Sequence, residues 1–330
     1  MKKRVALVTG GYSGEATISY KSAEAVSKHI DLNKYELYKI DIHPEGWDYI
    51  DDEGVRTAVN KSDFTINASG KKIAFDVALM CIHGTPGEDG KLQGYFDLLG
   101  LPYTTCNAAT SALTFNKRYT VAVAGFGGIK VARSVLLFRE AGYKEQEILS
   151  RLKLPLFVKP NNGGSSIGMS KVTDAGQLGA AIEKAFKEDG QVLIEEFIEG
   201  REFTIGVFKQ KNVVTPLPIT EIVSKKEFFD YEAKYLGMSD EITPAKVDES
   251  IAEKIRNCAR LIYNELNCRG VVRIDFIYNE KDGEPYMLEV NTVPGQSDAS
   301  IVPQQVQAMG WTLKRFYTEL IEEALSASVS

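Results

Sequence analysis

Residues 271–291 read VVRIDFIYNEKDGEPYMLEVN, two apolar-rich runs joined by a turn that contains Lys281-Asp282-Gly283. A three-residue loop that ends in glycine is typical of a β-hairpin with a type I turn and a bulge. Pairing that is symmetric about this loop predicts two polar cross-strand pairs on one face: Asp275 with Glu289, and Arg273 with Asn291. The opposite face is predicted to enter the core through four apolar side chains: Ile274, Phe276, Leu288 and Val290.

The polar face of the hairpin indicates a metal site. Two carboxylates that lie directly opposite each other, about 5 Å apart, repel unless positive charge lies between them. Asp275, Glu289 and Asn291 offer only oxygen ligands, which favours Mg²⁺ or Mn²⁺ with substrate phosphates completing the coordination. A solvated acidic edge neutralised by Arg273 is the alternative, and the hairpin alone leaves both interpretations open.

A glycine-rich loop upstream is the second chemical signal. Residues 157–168 read FVKPNNGGSSIG, a strand that leads into a loop whose N–H groups are free to approach phosphate oxygens. Lys159 adds a positive charge, but it precedes the glycines, so this is not a Walker A motif. A phosphate-binding loop and a flexible surface turn both fit this pattern.

The N-terminal loop GGYSGE, residues 10–15, stands where a dinucleotide-binding enzyme keeps its glycine fingerprint, but the glycine spacing is wrong. Glu15 begins the next helix, where its carboxylate would repel a pyrophosphate and suits an ammonium group. The alternative is a carboxylate that only stabilises its own helix N-terminus.

Two further loops are candidates for the site. HGTPGEDG, residues 83–90, follows a buried strand at the sheet edge where α/β proteins bind ligands, although His83 also suits a structural turn. DYEAKY, residues 230–235, lies in a long polar connection that suits either a lid over an active site or an exposed loop.

The pattern of elements divides the chain into three parts, predicted as domains over 1–109, 110–200 and 201–330. The first alternates strands and helices and predicts a parallel α/β sheet, with strands at 4–9, 35–42, 75–82 and 101–103 and helices at 16–30 and 90–99. The second predicts a small α+β unit, with helices at 116–124 and 175–187 and strands at 156–159 and 191–196. The third predicts a second α+β unit, with strands at 203–208, 213–219, 270–278 and 285–291 and helices at 248–266 and 303–325.

Composition sets the broad class. The chain has 330 residues, 44% hydrophobic residues and a formal net charge of −6, which excludes a disordered adaptor and disfavours a nucleic-acid scaffold. The apolar run 5–8 ends at Gly10, too early for a signal peptide, and the uncharged stretch 98–116 is too polar for a membrane span. The four cysteines form no CxxC pair, so we expect them to be reduced and the protein to be cytoplasmic, without a nucleic-acid or membrane partner.

Together the motifs resemble the ATP-grasp superfamily, and within it the D-alanine–D-alanine ligases. The resemblance covers nearly the whole chain in order, through the motifs at 10–15, 83–90, 158–168, 231–235, 273–275 and 289–295. It implies the three-part ATP-grasp fold, with ATP held between the central and C-terminal parts. It also implies a homodimer, the usual assembly of the family.

The resemblance implies a role for each residue on the ATP side. Lys117 and Lys159 would contact the α and β phosphates, and Glu202 the ribose. Glu195 and its neighbours Glu196 and Ile198 would meet the adenine edge. Asp275, Glu289 and Asn291 would hold two Mg²⁺ (or Mn²⁺) ions, in agreement with the hairpin argument.

On the substrate side, the resemblance implies attack of the first D-alanine carboxylate on ATP to give D-alanyl phosphate, which the amine of the second D-alanine then attacks. Glu15 would bind the first ammonium, hydrogen-bonded with Ser165 and Tyr235. Lys234 would neutralise the transferred phosphoryl group, and Arg273 with the Gly295 N–H would stabilise the oxyanion. The remaining assignments are Ser300, which with Lys234 would hold the second carboxylate, and His83, placed near the substrates with its role as a base left open.

The sequence departs from the family at three places: Glu196 where some relatives have Lys, Asn161-Asn162 in place of a more charged pair, and Gln296-Ser297 where Met-Thr is common. The first puts a side-chain contact with adenine in doubt.

A D-alanine–D-lactate or D-alanine–D-serine ligase, or another ATP-grasp carboxylate–amine ligase, is the alternative function. A nucleotide sensor would be expected to lose part of the hairpin set, and a nicotinamide oxidoreductase fails on the glycine spacing.

Overall fold

A computed structural model describes residues 2–68, 70–164, 167–224 and 239–327. Within these ranges the helices are α1 Ala16–His29, α2 Lys91–Leu99, α3 Ala108–Phe115, α4 Lys117–Phe126, α5 Glu145–Arg151, α6 Leu178–Phe186, α7 Glu249–Glu265, α8 Ile301–Ala308 and α9 Leu313–Ala327. The strands are β1 Lys3–Gly10, β2 Tyr35–His43, β3 Gly46–Ile50, β4 Arg56–Ala58, β5 Ile66–Ala68, β6 Lys71–Ile73, β7 Val77–Met80, β8 Ser134–Phe138, β9 Leu156–Pro160, β10 Ser170–Val172, β11 Gln191–Glu196, β12 Arg201–Gln210, β13 Val213–Pro216, β14 Thr220–Ser224, β15 Ser239–Ile242, β16 Val271–Asn279 and β17 Glu284–Asn291. None of the described helices has the length and apolar character needed to cross a membrane.

The first sheet has the order β4-β3-β2-β1-β7. β1 pairs in parallel with β2 and β7, as predicted, while β3 and β4 extend the sheet as antiparallel strands that sequence reasoning missed. The strand predicted at 101–103 is wrong, because only Tyr103 forms an isolated bridge, to Ala78. The loop after β1 and the loop after β7 both emerge at the carboxyl edge of this sheet, where Glu15 and His83 lie.

The second sheet has the antiparallel order β10-β9-β11-β8, and α5 and α6 cover one of its faces. Strands at 156–159 and 191–196 are confirmed. The helix predicted over 175–187 starts instead with a 3₁₀ turn, Ala175–Gln177, closed by a capping box between Asp174 and Gln177. The glycine-rich loop connects β9 to β10, at one end of this sheet.

The third sheet runs β15-β14-β12-β16-β17, with β13 paired to β12. The strand predicted over 213–219 is too long, because β13 ends at Pro216 and the next strand, β14, begins only at Thr220. The single helix predicted over 303–325 is also wrong. Gly310, with φ of +82°, breaks it into α8 and α9, because that left-handed conformation does not continue a helix.

The hydrophobic cores join distant parts of the chain. α9 contributes Phe316 and Leu320 to the core that also contains Val5 and Leu79 of the first sheet. α4 contributes Val121 to the core of the third sheet rather than to that of the second. The domain boundaries at 109/110 and 200/201 stay predictions.

Candidate active site

The hairpin of β16 and β17 carries the predicted cross-strand pairs. Arg273 lies opposite Asn291, and Asp275 lies opposite Glu289. The loop is longer than predicted, Glu280 to Gly283, and a register shift next to Asp275 compensates for the additional residue.

The register shift changes which apolar side chains enter the core. Phe276 pairs with Met287, so Met287 is buried in the core of the third sheet. The prediction that Leu288 belongs to this core is wrong, because Leu288 lines a cavity on the polar face. A bulge of this kind moves one residue to the opposite face of its strand.

Arg273 lies between the two carboxylates. Its Nε and Nη2 donate to Asp275 Oδ1 and Oδ2 at 2.9 and 2.8 Å, and its Nη2 lies 3.9 Å from Glu289 Oε1. Thr204 Oγ1 donates to Asp275 Oδ1 at 2.5 Å, a contact that sequence reasoning missed. Asp275 is only 8% exposed, which argues against a merely solvated acidic edge.

The donor set fits a metal bound together with phosphates. Within the described ranges, no three acidic, histidine or cysteine side chains gather into a metal-holding group. The hairpin instead offers two carboxylates and the amide oxygen of Asn291 on one face. Mg²⁺ commonly takes one or two carboxylates and completes its octahedron with phosphate oxygens and water.

A cavity of about 420 Å³ lies between the second and third sheets. Asp275 and Glu289 line it together with the described residues that were predicted to contact the nucleotide: Lys117, Lys159, Glu195, Glu196, Ile198 and Glu202. Lys159 Nζ and Glu195 Oε2 form an ion pair at 2.5 Å, and both side chains are largely buried. Lys117 Nζ donates to the Gly163 carbonyl of the glycine-rich loop at 2.5 Å.

Glu196 faces Arg133. The Glu196 carboxylate accepts hydrogen bonds from the Arg133 backbone N–H at 3.0 Å and from the Arg133 Nε at 2.9 Å. This pairing gives a local reason for an acidic residue at the position where some family members have Lys.

A second cavity, of about 360 Å³, shares the Asp275 and Glu289 wall with the first. It is lined by the described residues that were predicted to act on substrate: Glu15, His83, Arg273, Gly295 and Ser300, with Asn291 beside them. The nucleotide-sized cavity and this smaller polar cavity therefore meet at the acidic hairpin.

The carboxylate of Glu15 faces the second cavity. Glu15 is the N-cap residue of α1, but its side chain makes no capping hydrogen bond, which argues against the purely structural alternative. A Cβ at Gly84 would lie 2.6 Å from Glu15 Oε2, and one at Gly164 would lie 2.9 Å from Glu15 Oε1. Glycine at both positions therefore makes room for the carboxylate.

Gly295 and Ser300 also approach closely. A Cβ at Gly295 would lie 2.8 Å from Ser300 Oγ, which itself lies 2.7 Å from Ser297 Oγ. Ser300 is the N-cap of α8, and its side chain does not cap that helix.

Three ionisable groups around the second cavity, Arg273, Glu88 and His83, have pKa values shifted from their ordinary ones. Burial disfavours the charged form of Arg273, but Asp275, Glu289 and Glu88 outweigh burial and raise its pKa. Burial, and then the Glu15 charge, raises the pKa of Glu88 to about 8. Sequence reasoning missed Glu88, although the motif at 83–90 contains it.

The pKa of His83 is lowered, which keeps its imidazole neutral at neutral pH. Burial, and then the charge of Arg273, lowers the pKa of its imidazole to about 4, and a hydrogen bond with the Val293 backbone opposes part of this shift. Its Nε2 lies 3.0 Å from Ser22 Oγ.

Three predicted catalytic residues, Ser165, Lys234 and Tyr235, lie outside the described residues, as does the predicted lid at 230–235.

Two antiparallel sheets around a nucleotide-sized cavity that is lined in part by an acidic hairpin define an ATP-grasp enzyme. Family models of the D-Ala D-Ala ligase N-terminus and C-terminus match residues 4–106 and 123–322. The chain therefore belongs to the D-alanine–D-alanine ligase family.

Individual relatives match over nearly their full length. The D-alanine–D-alanine ligase of Parabacteroides distasonis is 44% identical, over 98% of this chain and 98% of the relative. The crystal structure of VanG D-Ala:D-Ser ligase from Enterococcus faecalis has a TM-score of 0.88 at 32% identity, over 98% of this chain and 100% of that one. The D-alanine–D-alanine ligase of Bacillus anthracis complexed with ATP has a TM-score of 0.80 at 29% identity, over 99% of both chains.

Proposed function

We propose that this protein joins two D-alanine molecules into D-alanyl-D-alanine through a D-alanyl phosphate, with ATP converted to ADP and phosphate, for peptidoglycan precursor synthesis. The observation that carries the proposal is the meeting of the two cavities at the Asp275 and Glu289 pair. Such an arrangement brings a nucleotide phosphate next to a small polar substrate, which is what acyl phosphate formation requires.

On the ATP side, Lys117 and Lys159 bind the phosphates, Glu195, Glu196 and Ile198 border the adenine, and Glu202 binds the ribose. Support comes from their common position around the first cavity. Asp275, Glu289 and Asn291 would hold two Mg²⁺ or Mn²⁺ ions, which when bound would supply positive charge to the phosphate oxygens. Lys234 stays a prediction from the family resemblance.

On the substrate side, Glu15 binds the ammonium group of the first D-alanine, with Ser165 and Tyr235 as its predicted partners. The carboxylate of Glu15 suits this role because it faces the cavity and does not cap its own helix. The bound ammonium directs the carboxylate of the same molecule toward the γ-phosphate, which it attacks.

Arg273 and the Gly295 N–H stabilise the oxyanion that forms when the second amine attacks the acyl phosphate. Ser300, with Lys234 as its predicted partner, binds the second carboxylate, because Ser300 stands at the N-terminus of α8, where the helix dipole favours an anion. His83 does not act as a base in this scheme, since a pKa near 4 makes its imidazole a weak proton acceptor at neutral pH.

Incubation of the protein with ATP, Mg²⁺ and D-alanine tests the proposal, with product mass, ADP and phosphate measured together. We expect one D-alanyl-D-alanine per ADP and phosphate. Parallel reactions with added D-serine or D-lactate test the alternative acceptors, and a mixed product formed in preference to the D-alanine dipeptide would overturn the D-alanine assignment. The homodimer and the cytoplasmic location stay predictions.

A further inference from the structure

The segment Val293–Gln296, which carries Gly295, is held from both sides by side chains of the N-terminal part. On one side, Glu88 Oε1 accepts the backbone N–H of Val293 at 3.3 Å. On the other side, Ser22 Oγ accepts the backbone N–H of Gln296 at 3.1 Å. The N–H of Gly295 therefore lies between two anchored peptide groups.

Ser22 links this segment to His83. Ser22 is 0% exposed, and its Oγ lies 3.0 Å from His83 Nε2. Because the hydroxyl oxygen already accepts the Gln296 N–H, its proton is available for a hydrogen bond to a neutral imidazole. The His83 backbone N–H donates in turn to Ser19 Oγ at 3.0 Å, which anchors the His83 main chain to α1.

Glu88 completes the connection from the opposite side. Its second carboxylate oxygen, Oε2, accepts the Gly84 N–H at 2.7 Å. Glu88 therefore joins the loop that begins with His83 to the Val293 peptide. One N-terminal motif thus reaches the Gly295 segment both directly, through Glu88, and by way of Ser22.

Ordinary loop anchoring would also produce such hydrogen bonds, but these two flank the one N–H that the proposed reaction needs. An oxyanion donor stabilises the transition state only when it is held at hydrogen-bond distance from the place where the charge develops. Small displacements of such a group reduce the rate strongly.

We propose that Ser22 and Glu88 are positioning residues, which together with His83 fix the Gly295 N–H as an oxyanion donor. The role of His83 is then to hold Ser22, and it transfers no proton. This inference rests on the proposed function.

The test compares Ser22→Ala with Ser27→Ala. Ser27 lies on the same helix, but its hydroxyl donates to the Ala23 carbonyl within that helix at 2.7 Å, so its loss leaves the Gly295 segment unchanged. For Ser22→Ala we expect kcat to fall by about tenfold to a hundredfold, with the KM for ATP within about twofold of wild type. Ser27→Ala is expected to match wild type.

A second readout separates positioning from general damage. A phosphinate analogue of D-alanyl-D-alanine carries a tetrahedral phosphorus at the reacting carbon and so mimics the oxyanion. Its inhibition constant should rise in Ser22→Ala by the same factor as kcat/KM falls. An unchanged inhibition constant, or an equal loss in Ser27→Ala, would overturn the positioning role.

If Ser22→Ala does not fold, Glu88→Gln tests the inference instead. Its amide retains only one acceptor oxygen for the backbone N–H groups of Gly84 and Val293. The same loss of phosphinate affinity is expected, and wild-type affinity would count against the proposal.

The ligation assay of the wild-type protein separates a failure of the proposed function from a failure of the positioning inference. No ligation product from the wild-type protein overturns the proposed function, and the inference with it, whereas normal synthesis by folded Ser22→Ala overturns the inference alone.

Discussion

Glu289→Gln tests the acidic hairpin. The substitution removes one negative charge from the wall between the two cavities and keeps the size of the side chain. We expect kcat to fall by more than about a thousandfold, which corresponds to about 4 kcal/mol of lost transition-state stabilisation. Folding should change little, because the Glu289 side chain is 32% exposed and Asp275 retains both hydrogen bonds from Arg273.

Steady-state kinetics over a range of Mg²⁺ concentrations, together with thermal unfolding, measure both expectations. Glu284→Gln is the matched control, since Glu284 lies on the same strand at the turn end, 3.7 Å from Lys254 Nζ. The control should retain wild-type turnover. Near-normal activity of Glu289→Gln with unchanged Mg²⁺ dependence would refute the metal assignment, and an equal loss in Glu284→Gln would attribute the effect to the strand.

Three further predictions concern stability and nucleotide binding. The pKa of His83 is about 4 in the folded protein and about 6.5 in the unfolded chain, so the unfolded chain binds more protons between these two pH values. The free energy of unfolding should therefore fall by up to about 3 kcal/mol as the pH drops from 6.5 to 4. Urea titrations of His83→Gln should show a flatter dependence of this free energy on pH. Lys159→Ala should weaken ATP binding in calorimetry and lower the free energy of unfolding by about 3 kcal/mol, because it removes the partner of the buried Glu195 carboxylate. The double variant Lys159→Ala with Glu195→Gln should regain part of the stability but not the ATP affinity. A restored ATP affinity would contradict the role of Lys159 in phosphate binding. Met287→Ala should lower the free energy of unfolding by about 2 to 4 kcal/mol because Met287 is buried in the core, whereas Leu288→Ala should lower it by less than about 1 kcal/mol because Leu288 lines the cavity. A larger loss for Leu288→Ala than for Met287→Ala in urea unfolding would contradict the bulge.

Local sequence patterns predict the hairpin pairs well, because alternation along two short strands and the position of a turn determine the register. The same reasoning misplaces Leu288, since a bulge depends on how the turn and the strand twist combine. It also continues the last helix through Gly310, where the apolar periodicity on either side conceals the break. Periodicity identifies a helix or a strand but not the position at which it is interrupted.

The network behind Gly295 lies beyond sequence reasoning for a different reason. Ser22 and Gln296 are 274 positions apart, and Ser22 and His83 are 61 apart. Each is unremarkable in its own segment, since Ser22 lies in an ordinary amphipathic helix. Only the folded arrangement of the first sheet against the C-terminal part brings the three together.

The packing of α9 on the first sheet has a consequence for biosynthesis. The chain emerges from the ribosome N-terminus first, yet the core around Val5 and Leu79 includes Phe316 and Leu320. Tyr35 also donates a hydrogen bond to Glu322, at 2.6 Å across 287 positions of sequence. The nascent N-terminal part therefore leaves an apolar surface uncovered until translation is almost complete, so a chain truncated before α9 exposes a surface that favours aggregation.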